Sequence, residues 1–319
     1  MKAITVAAPG GAPRLTEQPE PKVGPDTVLV RVKVAGVNPV DWKVAAGRLD
    51  PILYVYLPLI PGWDVAGIVE QVGPAVTEFA PGDEVIAYAR TDTAQHGTYA
   101  ELVPAPVRSV ARKPASLTWQ QAGGLPLAGL TALQSLQAAD ARKGDTVLVN
   151  NAAGGVGSFA LQIAAAEGIR VIGTASDAKA DYLRSLGAEP VAYGEGLAER
   201  VRALAPEGVD AALDFYGGDA TAVSFEVTKS PSRVVSIADP AIRERGGRYV
   251  FARPDHAGLT KLGELAEAGK LTVHVERELP LAEVAEAWSR EGGAPLHREG
   301  MPWQGARQHR SAQKPPCPP

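Results

Sequence analysis

The sequence predicts an α/β protein of two units, a small all-β barrel or sandwich followed by a doubly wound parallel sheet with helices on both faces. Three observations predict it. The first third is made of short alternating strands broken by Gly/Pro clusters. From about Thr118 strands and helices succeed one another in turn, the pattern of a parallel sheet. At the first strand–helix junction of that second part, "VLVNNAAGGVGS" (147–158) ends an apolar run in small residues and opens an apolar helix.

Composition bounds the function classes. A chain of 319 residues with 45% apolar and 21% charged residues has material for more than one domain core. A net charge of −4 argues against a nucleic-acid partner, which calls for a basic surplus. No apolar stretch approaches the roughly eighteen residues of a membrane span, and "MKAITVAAPGG" lacks the apolar centre of a signal peptide. No membrane partner and a cytoplasmic location are therefore expected. Cys317 is the only cysteine, and the histidines (His96, His256, His274, His297, His309) show no ligand spacing, so no metal is expected.

Each element follows from its pattern. "DTVLVRVKVAGV" alternates, with Val28, Val30, Val32 and Val34 on one face and Arg31 and Lys33 on the other. "DVAGIVEQVG" and "DEVIAYAR" repeat the theme. "LTWQQAGGLPLAGLTALQSLQAAD" reads as one helix with Thr118 as N-cap. Next come the strand "DTVLVNN", the helix "SFALQIAAAEG" ending at Gly168, and the strand "IRVIGTAS". The helices "AKADYLRSLG" and "GLAERVRALAP" alternate with the strands "PVAY", "VDAALDFY" and "RVVSIAD". "LTKLGELAEAGKL", "TVHVEREL" and "LAEVAEAW" read as helix, strand and helix, packed back on the first unit. The polar tail after Gly293 reads as irregular.

The glycine turn carries the first functional expectation. In "NNAAGGVGS" Gly154 and Gly157 stand three apart, and Ala152 occupies the place of the first glycine of G-x-G-x-x-G. Gly154 allows close approach to a pyrophosphate, Gly157 allows tight helix–strand packing, and the helix N-terminus offers free N–H groups. A dinucleotide site results, formed by Asn151, Ala153, Gly154, Gly155, Val156 and Gly157. An NAD site places an acid at the end of the second strand. Here Thr174, Ala175 and Ser176 stand there, with Lys179 beyond, so NADPH is favoured. Asp177, which would repel a 2′-phosphate, is read as the N-cap of the next helix.

The motifs "AGVNPVDWKVAAG" (35–47), "IPGWDVAGIVEQVGPAVTEFAPGDEV" (60–85), "GTYAELV" (97–103), "LPLAGLTAL" (125–133), "NNAAGGVGS" (150–158) and "LGAEPVAY" (186–193) occur in the order and spacing of a known family. Over residues 1 to about 291 the chain resembles the zinc-independent quinone oxidoreductase (zeta-crystallin-like) branch of the medium-chain dehydrogenase/reductase superfamily. The resemblance implies a GroES-like β-barrel domain, residues 1–117 with 260–293, and a Rossmann NADPH-binding domain, residues 118–259, with an irregular tail over 294–319. Zinc-dependent relatives have a cysteine where this chain has Asn38 and a histidine–acid pair where it has Trp63 and Asp64. The branch it resembles reduces quinones and α,β-unsaturated carbonyls, so the implied enzyme transfers hydride from NADPH to a small hydrophobic carbonyl substrate. The implied assembly is a homodimer.

The resemblance also implies site residues. Asn38 and Asp41 match positions lining the nicotinamide and substrate cleft. Asn38 is a donor to a substrate carbonyl or to the nicotinamide amide, local turn bonding before Pro39 being the alternative, while Asp41 is read as a brace. Lys43 stands where some relatives have a tyrosine beside the nicotinamide, a cation for an enolate or for the cofactor phosphates, an exposed helix lysine being the alternative. Thr131 matches a threonine near the nicotinamide ribose, and Ser236 a strand-end position flanking it. Lys179 and Tyr193 match a pair that holds the 2′-phosphate, with Ser176 beside them. Tyr54 and Tyr56 are candidates for the substrate pocket, as is Trp63, for which a core position is the other reading. Two departures stand out: Asn151 replaces the usual small residue, and after Gly293 the family's final apolar strand is not recognisable. Two other functions fit the same residues. One is an enoyl-thioester reductase or a tailoring reductase/cyclase, for which Lys43, Arg48 and Arg90 would form a basic entrance. The other is an NADPH-binding protein without turnover.

Overall fold

The computed structural model describes residues 1–290. Strands β1 (Lys2–Thr5) and β2 (Arg14–Glu17) form an antiparallel pair. β3 (Thr27–Gly36) follows the valine alternation, with Val28 and Val30 fully buried and Arg31 and Lys33 exposed. After helix α1 (Pro39–Ala45) come β4 (Tyr54–Ile60), β5 (Asp64–Val72), β6 (Glu84–Tyr88), β7 (Thr93–His96), β8 (Leu102–Pro106) and β9 (Val110–Arg112). Five of them form an antiparallel sheet in the order β8-β3-β5-β6-β9, while β4 and β7 pair separately. The inward valines of β3, β5, β6, β8 and β9 share one apolar cluster with Phe79.

Helices α2 (Trp119–Gly123) and α3 (Pro126–Ala138) lead into the second unit. The sequence predicts one helix here and the structure contains two. Pro126 has no N–H to continue a helix, and it starts a new one at its first position. Thr118 is the expected N-cap, its Oγ accepting from the Gln121 amide while the Gln121 side chain accepts from the Thr118 amide.

β10 (Thr146–Asn150), α4 (Gly155–Ala166), β11 (Arg170–Ala175), α5 (Ala180–Ser185), β12 (Glu189–Ala192), α6 (Leu197–Leu204), β13 (Ala211–Asp214), α7 (Asp219–Val227), β14 (Val234–Ser236) and β15 (Arg248–Tyr249) build the second sheet. Its six strands run parallel in the order β12-β11-β10-β13-β14-β15. The chain therefore winds outward first to one side of β10 and then to the other. The reversal opens a crevice at the carboxyl ends of β10 and β13, where open α/β sheets bind ligands.

Helix α8 (His256–Glu267) then packs on α3, and α9 (Val284–Arg290) returns to the first unit by burying Trp288 against Tyr99, ring centroids 6.3 Å apart. The strand expected in "TVHVEREL" is not formed. Leu271 and Val273 are buried on alternate positions, but the backbone of Thr272 is bonded by a side chain instead of a neighbouring strand. Gln162 of α4 accepts from the Thr272 amide at 2.7 Å and donates to the Thr272 carbonyl at 3.1 Å. Removing that side chain in Gln162→Leu leaves both groups without their partner, at about 1–2 kcal/mol. The expected result in urea unfolding is a lower midpoint with an unchanged slope.

Candidate active site

Asn38, Asp41 and Asp64 converge at the start of α1. Asn38 precedes the helix in extended conformation, and Pro39 fills the first helical position. Asp41 accepts the Asn38 backbone N–H at 2.8 Å, a bond that closes the first helical turn. The same carboxylate oxygen accepts the Tyr99 hydroxyl at 2.7 Å. Burial, reinforced by Asp41, holds the Tyr99 hydroxyl well above the ordinary phenol range, so it stays a donor. Asp41 thus braces the segment from beneath.

The Asn38 side chain turns to Asp64 at the head of β5. Its Nδ2 donates to Asp64 Oδ2 at 2.9 Å, and the Leu127 amide, in the first turn of α3, donates to Asp64 Oδ1 at 2.9 Å. Asp64 is only 1% exposed. Burial pushes its carboxyl well above the usual aspartate range, the Asn38 and Leu127 donors oppose that, and Asp41 adds to it. Gly36 makes the convergence possible, since a Cβ there would lie 2.4 Å from the Gly123 carbonyl and 2.9 Å from Asp64 Cβ. Among the described residues no three or more His, Cys, Asp or Glu side chains gather as a metal site.

The glycine turn lies at the carboxyl end of β10. Asn151 adopts a left-handed conformation (φ 56°), which asparagine tolerates better than most side chains. Its amide donates to Thr174 Oγ1 at 3.0 Å. The residue that looks out of place in the motif is therefore the one that turns the chain. Ala152 is fully buried, and its methyl is accommodated by Gly173 on β11, where a Cβ would stand 2.9 Å from Ala152 Cβ. A Cβ at Gly157 would come within 2.3 Å of the Asn151 carbonyl, so this position holds α4 against β10. At Gly155 an added Cβ meets nothing within 4 Å, and the first turn of α4 opens on solvent with its amides outside the helix ladder. The turn fits a pyrophosphate.

Ser176 and Tyr193 follow Ala175 and Ala192, which are register partners on β11 and β12, so they stand side by side. Ser176, Lys179 and Tyr193 are all exposed. Asp177 is not an N-cap. It begins a short 3-10 turn capped by Ser176, and Lys179 caps α5. Two other expected site residues are buried. Ser236 is fully buried at the end of β14, and its hydroxyl donates to Asp214 while accepting from the Ala238 and Asp239 amides, so it shapes the loop that follows. Thr131 is 6% exposed and donates to the Leu127 carbonyl one turn back at 2.7 Å.

Trp63 is core, packed edge-on against Tyr88 at 6.0 Å, and with Asp41 and His96 it lines a cavity of about 20 Å³, the size of one water. Tyr54 and Tyr56 are exposed on β4, and Tyr54 rims a separate pocket of about 210 Å³ with Val44, Ala45, Leu53, Leu57 and Leu59. The structure does not bring these three aromatics into one pocket. Lys43 and Arg48 both approach the Trp42 ring, at 5.6 and 4.9 Å, while Arg90 packs on Tyr88 and Phe251.

The sequence reading did not single out Asp64 as a site residue, and it missed Asp214 and Tyr216. Asp214 is fully buried at the end of β13 and gathers four donors: the Tyr216 and Gly217 amides and the Thr221 and Ser236 hydroxyls. Tyr216, in the loop so formed, is 75% exposed beside the crevice. A large aromatic between "LDF" and "GG" at a strand end is the signal available in the sequence.

Known proteins share this architecture. Residues 24–115 match the alcohol dehydrogenase GroES-like domain, and residues 155–248 match the zinc-binding dehydrogenase family. The chain is 36% identical over 278 residues to an NADPH-dependent alkenal/one oxidoreductase, chloroplastic, of Arabidopsis thaliana, covering 84% of this chain and 70% of the relative. The quinone oxidoreductase of Coxiella burnetii superposes with a TM-score of 0.79 at 31% identity, over 92% of this chain and 96% of that one. The chain belongs to the quinone oxidoreductase-like branch of the medium-chain dehydrogenase/reductase superfamily. It is an oxidoreductase. A mycobacterial member solved in complex with NADPH has a TM-score of 0.77 at 29% identity, covering 91% of this chain and 96% of its own. No helix among the described residues of this oxidoreductase is long and apolar enough to cross a membrane.

The raised Asp64 carboxyl has a signed consequence for this oxidoreductase. Between the ordinary aspartate value, about 3.9, and the raised one, the folded chain holds a proton that the unfolded chain has lost. The Asp64 contribution to stability therefore falls as pH rises through that window. Asp64→Asn removes this slope, so the variant should gain on the parent as pH rises from about 4 toward neutrality. Urea midpoints across that range test it, and parallel curves would contradict it.

Proposed function

We propose that the chain is an NADPH-dependent reductase of α,β-unsaturated carbonyls or quinones. One observation carries the reading. The turn is open at Gly155, with the Asn151 side chain over Gly154, at the sheet's crevice, and Ser176, Lys179 and Tyr193 stand exposed beyond the next two strand ends. The α4 amides and the side chain of Asn151 would hold the pyrophosphate, and Ser176, Lys179 and Tyr193 the 2′-phosphate. The reduced nicotinamide, when bound, supplies a hydride.

The chain's own residues do the rest. Hydride addition at an enone β-carbon places negative charge on the carbonyl oxygen. Asn38 carries two N–H groups on Nδ2, and Asp64 takes one and orients the other for that oxygen. The α-carbon then takes a proton from water, which balances the reduction. The name of the Arabidopsis relative supports this substrate class, and the NADPH-bound mycobacterial structure supports the cofactor. The two-residue edge strand β15 leaves one side of the sheet open, and pairing of two copies belongs to the same proposal, as does a cytoplasmic location.

Two measurements test it. Asn38→Ala should lower kcat for an enone by about a hundredfold, the weight of one donor to a developing oxyanion, with NADPH affinity unchanged. Quenching of tryptophan fluorescence should show tighter binding of NADPH than NADH, and Lys179→Ala should erase the difference. Equal affinities in the parent protein would refute the NADPH assignment.

A further inference from the structure

The loop between β12 and α6 is held by one side chain. Arg200, one turn into α6, folds back across the residues that precede its own helix. Its Nε donates to the Ala192 carbonyl at 3.1 Å and its Nη1 to the Glu195 carbonyl at 2.8 Å. Its Nη2 reaches the Tyr193 and Gly194 carbonyls at 3.4 and 3.3 Å. Four consecutive carbonyls thus point at one guanidinium. Backbone dipoles aimed at a common centre repel one another unless a cation lies there, and Gly194 (φ 94°) and Gly196 (φ 75°) supply the left-handed turns the wrap requires.

Tyr193 lies inside this wrap with its side chain 64% exposed. Packing does little to place so exposed a ring, so its position follows from its backbone, and Arg200 holds that backbone. A guanidinium has five N–H groups, and the carbonyls occupy most of them. Arg200 is therefore poorly equipped to be a phosphate ligand itself. We propose that Arg200 is a positioning residue for recognition of the cofactor's 2′-phosphate, acting through Tyr193. The inference rests on the assignment of that phosphate to Ser176, Lys179 and Tyr193.

The test uses the full chain and compares Kd for NADPH and NADH in Arg200→Met, Arg200→Lys, Tyr193→Ala and the Tyr193→Ala/Arg200→Met double variant. Arg200→Met should weaken NADPH about tenfold, the weight of one hydrogen bond to a charged group. NADH binding and kcat at saturating NADPH should stay within about twofold, a difference smaller than one hydrogen bond is worth. Arg200→Lys should resemble Arg200→Met, because an ammonium keeps the charge but not the planar fork. In the Tyr193→Ala background Arg200→Met should add nothing. Restoration of NADPH affinity by lysine would mean that the charge acts directly on the phosphate, and would overturn the proposal. So would additive losses in the double variant, or equal losses for NADPH and NADH. If Tyr193→Ala and Lys179→Ala leave the preference for NADPH intact, the phosphate assignment itself fails, whatever Arg200 does.

Discussion

The structure depends on a buried carboxylate. Asp64 starts the central strand of the first unit, yet its two oxygens are held by the Asn38 side-chain amide just before α1 and by the Leu127 backbone N–H at the start of α3. A carboxyl group this deeply buried is costly unless both oxygens are bonded, and both are. The bonds place three distant parts of the chain together: the loop that presents Asn38, the barrel strand behind it, and the first long helix beyond the barrel. Gly36 and Gly123 let the backbones come close enough for this, and Asp41 with Tyr99 fixes the turn that carries Asn38. The segment that carries Asn38 is thus held by hydrogen bonds among buried groups.

The second unit gathers its polar groups at the carboxyl ends of its strands. Asn150, Asp214 and Ser236 are consecutive register partners across β10, β13 and β14, and Asp214 orders the two loops that follow. On the other side of the crevice Asn151 turns the chain in the left-handed region, Ala152 sinks toward Gly173, and the first turn of α4 faces outward. The exchange of glycine for alanine at the first position of the motif is matched by a glycine on the neighbouring strand. Tyr193 and Tyr216 stand exposed at two of these strand ends, large rings of a kind that a bound dinucleotide would cover.

Much of this was legible in the residues. The valines of β3, the succession of strands and helices after Thr118 and the small residues at 152–157 each carry their own periodicity or turn chemistry, and the parallel sheet follows from them. What was not legible depends on contacts between distant positions. The Asn38–Asp64–Leu127 junction spans separations of 26 and 63 residues, and no local pattern announces it. Alternation in "TVHVEREL" says that an extended segment is present, but not that Gln162 will take its backbone bonds. Ser236 sits at a strand end, as expected, but the direction of its hydroxyl was decided by Asp214, more than twenty positions away. The division of the first helix at Pro126 could have been read from proline alone.

In the proposed reaction Asn38, fixed by Asp64, faces a carbonyl oxygen while hydride arrives at the β-carbon of the same substrate. Incubating the full chain with NADPH deuterated at the transferring C4 position and a simple enone, then locating the label by NMR, tests it directly. The expected product is a saturated ketone with one deuterium at the β-carbon and a solvent hydrogen at the α-carbon. Deuterium at the carbonyl carbon, giving an allylic alcohol, or NADPH bound without turnover of any enone or quinone, would contradict it.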